Sequence, residues 1–429
     1  MPIVKVHGTG SELQGVARLE DGRTVFIPLS LPGEEVEIEL KRQKERFAEG
    51  RLKRVLSQSS ERVQPDCPYY GACGGCQTRH MRYEASLAYK REKVIAALTR
   101  LGGIIKPEVL PVLPSPLING YRNKAEFACA GNALGVYREG SSNVIDVQCC
   151  LLQPERMNAL LDSLRPSVQA LHLSGIVMRM NSEGELMVIL CASKADKRMN
   201  SVAMELMKRH SDIKSVYLCL LNPRPAHALD GACRLLSGSE RLNETLLGLH
   251  FTVSPKSFFQ VNRLQAEKLY ETALSFADLT QADEICDLYC GTGTITLCAA
   301  QRCKSAVGIE LVPDAIRDAR KNAESNALTA KAEFFCDDAG KAYPKLTRQR
   351  HFSAVFVDPP RKGLEKSIVD ALIDFPTPRL IYVSCDPATL SRDVKLLTQS
   401  GVYCFIKAQP VDMFPGTSHC EVVTLITRA

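Results

Sequence analysis

No run of 18 apolar residues occurs in this 429-residue sequence, and its start, Met1-Pro2-Ile3-Val4-Lys5, is not a basic stretch followed by an apolar one. A transmembrane helix and a secretory leader are both unsupported, so a cytoplasmic protein with no membrane partner is expected. A large excess of either charge is lacking too. Lys and Arg number 54 against 48 Asp and Glu, leaving +6, too little to demand a polyanionic partner. What is present is ordinary globular material, 45% hydrophobic and 24% charged, long enough for about two to four domains with real cores. In a reducing compartment the 17 cysteines are no disulfide framework; most should be buried thiols, with a minority serving a metal or catalysis.

Local charge tells more than the total. Lys41, Arg42, Lys44, Arg46, Arg51, Lys53 and Arg54 crowd one short stretch against only Glu45 and Glu49; such a strip is either a solvated face or a phosphate-contacting one. Around it, residues 1–60 alternate apolar and polar positions, as in Glu35-Val36-Glu37-Ile38-Glu39-Leu40, with turn signals at Asp21-Gly22 and Leu31-Pro32-Gly33. Short punctuated strands of this kind predict a small antiparallel barrel. Their order, with Gly15-Val16-Ala17 before the first turn, resembles the TRAM domain, an OB-like RNA-binding module.

Next comes Cys67-x5-Cys73-x2-Cys76, with Gly71, Gly74 and Gly75 letting the backbone fold tightly. Three close cysteines in a reducing compartment point to a metal. Zinc would accept His80 as a further ligand, whereas a cubane cluster wants four thiolates, one of them remote, and Cys149 or Cys150 could supply it. The spacing favours iron–sulfur over zinc.

Residues 80–101 read as a helix with Tyr83, Leu87, Val94, Leu98 and Leu101 on one stripe. Strands and short helices follow to about residue 245, so that residues 61–245 are expected to form a central α+β domain. Within it, Gly120-Tyr121-Arg122-Asn123-Lys124-Ala125-Glu126-Phe127 sets cations and aromatics around a strand, where bases could stack and phosphates be met.

From residue 246 to 429 strands and helices alternate, the sign of a parallel α/β sheet. Ile285-Cys286-Asp287-Leu288 runs into Tyr289-Cys290-Gly291-Thr292-Gly293-Thr294, and Glu310 lies 17 residues beyond Gly293, the separation of a ribose-binding acid in nucleotide-binding folds. Only one Gly-x-Gly is present, with no third glycine for pyrophosphate packing. An adenosyl ligand without phosphates is therefore favoured over a dinucleotide. Asp337-Asp338 and Asp358 follow at successive strand ends, where such folds bind ligands.

The most telling pair is Asp358-Pro359-Pro360-Arg361 and, downstream, Val383-Ser384-Cys385-Asp386-Pro387: a candidate nucleophile beside a candidate methyl-donor site. Carbon 5 of uracil is too poor a nucleophile to attack a methyl sulfonium unaided. A thiolate must first add to carbon 6 and build an enolate, whereas nitrogen methylation needs no such cysteine.

With Ser257-Phe258-Phe259-Gln260-Val261-Asn262, Asp287-Leu288-Tyr289-Cys290-Gly291, Asp358-Pro359-Pro360-Arg361-Lys362-Gly363 and the Cys385 motif in order, and with the Cys73-Gly74-Gly75-Cys76-Gln77 loop ahead of them, the chain resembles the RNA uracil-5-methyltransferase (5-methyluridine) family. That resemblance implies a Rossmann-like C-terminal domain that uses S-adenosylmethionine, with Gln260, Tyr289, Glu310 and Asp358 lining the donor site. It implies Cys385 as nucleophile and Glu421 as the base that removes the carbon-5 proton. A 4Fe-4S cluster would be held by Cys67, Cys73, Cys76 and Cys150, the last chosen over Cys149 because the residues after it fit the family's spacing. The RNA expected is 23S ribosomal RNA, bound by a monomer. Transfer RNA is the alternative substrate, and a non-catalytic iron–sulfur RNA-binding protein the alternative class; a methyltransferase of protein or DNA would leave Cys385 structural.

One departure matters. The family's Phe-Pro-His-Thr-x-His-Val-Glu stands here as Phe414-Pro415-Gly416-Thr417-Ser418-His419-Cys420-Glu421, with glycine for the first histidine. Because the attacking group must be a thiolate, Cys385 is expected on a strand-end loop where dipoles or cations depress its pKa. A target base inside folded RNA must also be flipped out, at a cost of a few kcal/mol, before both sulfurs can reach it.

Overall fold

The computed structural model describes all 429 residues. Strands β1 (Ile3–Lys5), β2 (Gly8–Thr9), β3 (Gly15–Arg18), β4 (Thr24–Ile27), β5 (Glu35–Gln43) and β6 (Phe47–Ser57) form one sheet in the order β1-β5-β6-β4-β3-β2. Its two ends, β1 and β2, are consecutive in the chain, and the His7 amide donates to the Val16 carbonyl at 2.9 Å, so the sheet curls round on itself. Pairing is not antiparallel throughout, as the alternation suggested: β4 runs parallel to β6. Val25, Ile27, Val36 and Ile38 have no exposed surface, which explains the apolar phase of each strand.

After the cysteine loop comes helix α1 (Tyr83–Arg100). Its apolar stripe is only partly inward: Val94 and Leu98 are buried, Leu101 is 48% exposed, and Lys90 is fully buried. The middle of the chain contains β7 (Lys124–Ala130), β8 (Ala133–Tyr137), β9 (Val144–Asp146), α2 (Glu155–Ala170), β10 (Gly175–Met180), β11 (Leu186–Ala192), α3 (Met199–Arg209), β12 (Ile213–Leu221) and β13 (Gly231–Gly238). They form a seven-stranded sheet in the order β13-β12-β11-β10-β7-β8-β9. On one face Ile176, Met178, Val188 and Leu190 pack with Leu160, Leu161 and Leu164 of α2; on the other Val177, Met187 and Ile189 pack with Tyr217. Burial of both faces is why these strands read as continuous apolar runs.

A hairpin of β14 (Leu242–Leu246) and β15 (Leu249–Val253) leads to α4 (Arg263–Ala277). Asn262 caps that helix by accepting from the Gln265 amide at 3.3 Å, a common way to satisfy a first-turn donor. Then follow β16 (Glu284–Leu288), α5 (Thr294–Ala300), β17 (Ser305–Glu310), α6 (Pro313–Ser325), β18 (Ala332–Cys336), α7 (Ala339–Thr347), β19 (Ala354–Val357), α8 (Lys366–Asp374), β20 (Arg379–Ser384), α9 (Pro387–Gln399), β21 (Tyr403–Val411) and β22 (Glu421–Arg428). The sheet order is β18-β17-β16-β19-β20-β22-β21, parallel except for β22. Helices cover both faces. Phe356, Ile381 and Val383 face one layer and Val355, Leu380 and Tyr382 the other, each fully buried aliphatic or aromatic contributing about 1.5–3 kcal/mol. No helix is long and apolar enough to cross a membrane.

Candidate active site

The carboxyl ends of β16, β17, β19 and β20 open onto a cavity of about 1170 Å³, and Gln260, Tyr289, Glu310, Asp358, Cys385 and Glu421 all line it. Such placement follows from the parallel sheet, whose strand ends and following loops share one edge. Glu421 reaches that edge differently. It opens the antiparallel β22, and because Ser384 pairs with Val422, the next step of the register sets Cys385 beside Glu421.

Backbone turns shape one side of the cavity. Tyr289, Gly291 and Gly293 all have positive φ, at 79°, 55° and 84°, and a β-carbon on Gly293 would lie 2.9 Å from the Phe334 ring. Glycine is required at that position by both conformation and space. Across the turn, Glu310 accepts from the Gly291 amide at 3.2 Å and the Val312 amide at 2.9 Å, which fixes its carboxylate at the end of β17. Asp386 accepts from the Ala388 and Thr389 amides at 2.8 and 3.1 Å, so α9 begins directly after Cys385 and holds the thiol at a helix start. Gln260 lines the cavity, while its neighbour Asn262 caps α4. Asp337 and Asp338 do not line it; Asp338 caps α7 through the Lys341 amide at 3.1 Å.

Electrostatics overturn one expectation. The Cys385 thiol is not depressed but pushed up to about 11, chiefly by burial and then by Glu421 and Asp358, with Arg361 opposing. Burial, with Glu421 and Asp358 adding, outweighs the Arg361 guanidinium. Burial also pushes Glu421 up to about 8, with Asp358 adding and Arg361 opposing. Asp358 is held at about 7 by burial and then by Asp287. His419, also on the cavity wall, is shifted downward by burial first and by Arg361.

Arg122, one of the cations expected to meet phosphate, lines the cavity, and so do three residues given no role from the sequence: Asp287, Arg361 and Phe258. Asp287 has no exposed surface; one carboxylate oxygen accepts from the Thr296 hydroxyl at 2.6 Å, and the other, Oδ1, has no partner. A carboxylate inside the apolar run Ile285-Cys286-Asp287-Leu288 was the signal. Its orphaned oxygen suits a ligand carrying a positive charge, as the ammonium of S-adenosylmethionine does. Phe258 is 73% exposed at the cavity, whereas Tyr121 and Phe127, expected to offer stacking, are buried, and the Tyr121 hydroxyl donates to the Pro415 carbonyl at 3.0 Å.

In the cysteine loop, burial raises the Cys150 thiol to about 11, with smaller contributions from Cys76, Cys73 and Cys67; Cys67 and Cys73 likewise act on Cys76. These four sulfurs share one neighbourhood. As they stand, no three His, Cys, Asp or Glu side chains are drawn close enough to hold a metal ion. His80 Nδ1 lies 2.6 Å from the Tyr70 hydroxyl. Gly416, where the family has histidine, has φ +81° and would place a β-carbon 3.7 Å from both the Cys76 sulfur and the Arg79 side chain; its carbonyl accepts from the Gln77 and Thr78 amides at 2.9 and 3.1 Å. The loop before Glu421 thus rests on the cysteine loop. The basic strip is partly neutralised within its own hairpin, Lys41 and Lys53 both meeting Glu39 at 2.6 and 2.8 Å.

Comparison with known proteins points one way. The tRNA (uracil-5-)-methyltransferase family matches residues 238–429, and the TRAM domain matches residues 3–53. An uncharacterized RNA methyltransferase of Bacillus cereus is 35% identical over 96% of this chain and 94% of its own, and one of Chlorobaculum tepidum is 36% identical over 93% and 90%. Among solved structures, the Pyrococcus abyssi tRNA (uracil-54, C5)-methyltransferase in complex with S-adenosyl-L-homocysteine superposes with a TM-score of 0.78 at 26% identity, covering 99% of both chains.

Proposed function

This chain belongs to the S-adenosylmethionine-dependent RNA uracil-5-methyltransferase family, and from that premise we propose that it methylates carbon 5 of one uridine through a covalent Cys385 adduct. The observation that carries the mechanism is the pairing of Cys385 with Glu421 across β20 and β22 at the donor cavity. The Cys385 thiolate forms a bond to carbon 6 and sends the carbon 5–carbon 6 electrons toward oxygen 4. Carbon 5 then takes the methyl group from the donor. Glu421 removes the carbon-5 proton, the double bond re-forms, and the sulfur leaves as thiolate. A carboxylate held near pKa 8 is a stronger base than an exposed one, and its ionised share rises from about one-tenth at pH 7 to about half at pH 8.

Gln260, Tyr289, Glu310 and Asp358, with Asp287, would hold S-adenosylmethionine, which when bound supplies an electrophilic methyl carbon on a sulfonium. Arg122 and Phe258 at the cavity suit a flipped nucleotide, one for phosphate and one for stacking. We assign residues 1–60 to an OB-like RNA-binding barrel, 61–245 to the cysteine loop, linking helix and central RNA-binding domain, and 246–429 to the methyltransferase domain. We propose that the chain acts as a monomer. Chemistry on RNA supports a cytoplasmic place.

For the 4Fe-4S cluster, the support is the family resemblance together with the closeness of Cys67, Cys73 and Cys76 to Cys150, whose thiol all three act on. For the RNA, the family resemblance of an N-terminal barrel with a cysteine loop supports 23S ribosomal RNA. A specific finding favours transfer RNA as the second reading: the Pyrococcus abyssi protein, aligned over 99% of both chains, acts on uracil 54 of tRNA. Mass mapping of 5-methyluridine in ribosomal and transfer RNA, with and without this gene, decides between them. Loss from neither pool would refute the proposed reaction.

A further inference from the structure

Helix α1 buries a lysine. Lys90 and Asp412, 322 residues apart, form an ion pair in which neither side chain has any exposed surface, with Nζ 2.5 Å from Oδ1. The same Nζ donates to the Phe414 carbonyl at 3.2 Å. The Tyr83 hydroxyl donates to the other Asp412 oxygen at 2.8 Å and accepts from the Ser115 amide at 2.8 Å. One turn further along the helix, Lys93 donates to the Ser418 carbonyl at 3.1 Å. Residues 83, 90 and 93 share a face of α1, so one rigid helix grips both ends of the loop 412–419.

That loop is the connection between β21 and β22. It contains His419 and runs directly into Glu421, and both line the donor cavity. Its middle is tied as well, at Pro415 by Tyr121 and at Gly416 by the cysteine loop. A buried lysine–carboxylate pair is a poor way to gain stability, because taking both charges out of water offsets their attraction and an apolar pair of equal volume does as well. What a fully hydrogen-bonded pair supplies is a single geometry. A loop that must hold a base against a thiol needs that, since misplacement by about 1 Å can cost on the order of 100-fold in rate.

We propose that Lys90, with Asp412 and Tyr83, is a positioning residue of the methyl-transfer site: it locks the loop 412–419 so that Glu421 and His419 face Cys385. The inference rests on the reading of Glu421 as the base. The test uses the full chain with Lys90→Met/Asp412→Leu, which removes both charges and leaves the Tyr83 hydroxyl bonded to the Ser115 amide. Tyr83→Phe is the milder second variant. Three quantities are read: amide hydrogen exchange across residues 413–420, donor KM against kcat, and the fraction of enzyme trapped as protein–RNA adduct. The double variant should exchange faster in this segment alone, keep donor KM within about twofold, lose on the order of 10- to 100-fold in kcat and accumulate adduct. Tyr83→Phe should move the same quantities less, and it carries the test if the double variant does not fold. Wild-type kcat with unchanged loop exchange in a folded variant overturns the proposal. Glu421→Gln run alongside separates the two readings: if it turns over normally, Glu421 is not the base, while coupling of loop exchange to kcat still decides whether Lys90 positions the loop.

Discussion

Binding of the methyl donor should release a proton, and the structure says how much. Asp287 is fully buried with an unpartnered oxygen on the donor cavity, and its carboxyl is pushed up to about 7 by burial, with Glu310 adding and the Thr296 hydrogen bonds opposing. An ammonium placed against that oxygen favours the ionised form. In the empty protein Asp287 is therefore about nine-tenths protonated at pH 6 and about one-tenth at pH 8, so donor binding should release close to one proton at pH 6 and almost none at pH 8. Linkage then makes the donor bind about tenfold more weakly at pH 6 than at pH 8. The sign for stability follows the same logic: a carboxyl raised in the folded state destabilises the empty protein as pH climbs from about 4 through 7, by an amount of order 4 kcal/mol when fully ionised. Calorimetric titrations in buffers of different ionisation enthalpy read the proton count directly. Asp287→Asn keeps the shape, removes this titration and removes the charge that raises Asp358; its donor affinity should be weak and nearly flat with pH. Absence of proton release at pH 6 in the wild-type protein, or an equal release in Asp287→Asn, would refute the reasoning.

Replacing Cys385 by alanine should abolish methyl transfer while leaving donor affinity nearly intact, because the thiol acts on uracil and not on the sulfonium; appreciable 5-methyluridine formation by the variant would mean there is no covalent route. Glu421→Gln should stall after methyl transfer and show methyl label migrating with protein on denaturing gels, and normal turnover would remove Glu421 from the role of base. With its thiol near 11, Cys385 in the free enzyme should alkylate at about a hundredth of the rate of an unperturbed thiol at pH 7 and accelerate up to about pH 11. An inflection below pH 8, with the exposed Cys404 as internal control, would contradict the geometry. Protein purified without oxygen should be brown with about four irons per chain, a property that Cys150→Ser loses and Cys149→Ser keeps; stoichiometric zinc without colour is the opposing result.

Much of the site was legible because its parts are contiguous. The glycine turn after Asp287, the acid at Glu310, Asp358 after a buried strand and Cys385 before a proline-started helix each declare themselves within a few residues, since strand, turn and helix start obey local rules. The loop of Cys67, Cys73 and Cys76 is equally local, whereas Cys150, which shares their neighbourhood, lies far along the chain. Tyr121 shows the limit. In sequence it is an aromatic among cations, but its hydroxyl reaches Pro415, far along the chain, and nothing beside it says so.

By itself, then, the sequence determined which candidate groups the chain carries and the succession of a short-stranded sheet, a mixed α+β segment and a parallel α/β sheet, because those depend on residue type and short-range periodicity. Tertiary structure alone decided how the groups act on one another. The antiparallel return of β22 sets Glu421 beside Cys385, burial and two carboxylates raise the thiol that local cues would have lowered, and Lys90 of α1 finds its counter-charge in Asp412, 322 residues away. Each is a long-range effect: electrostatic energy depends on what water has been removed and which charges arrive from elsewhere, and neither is written near the residue that feels it.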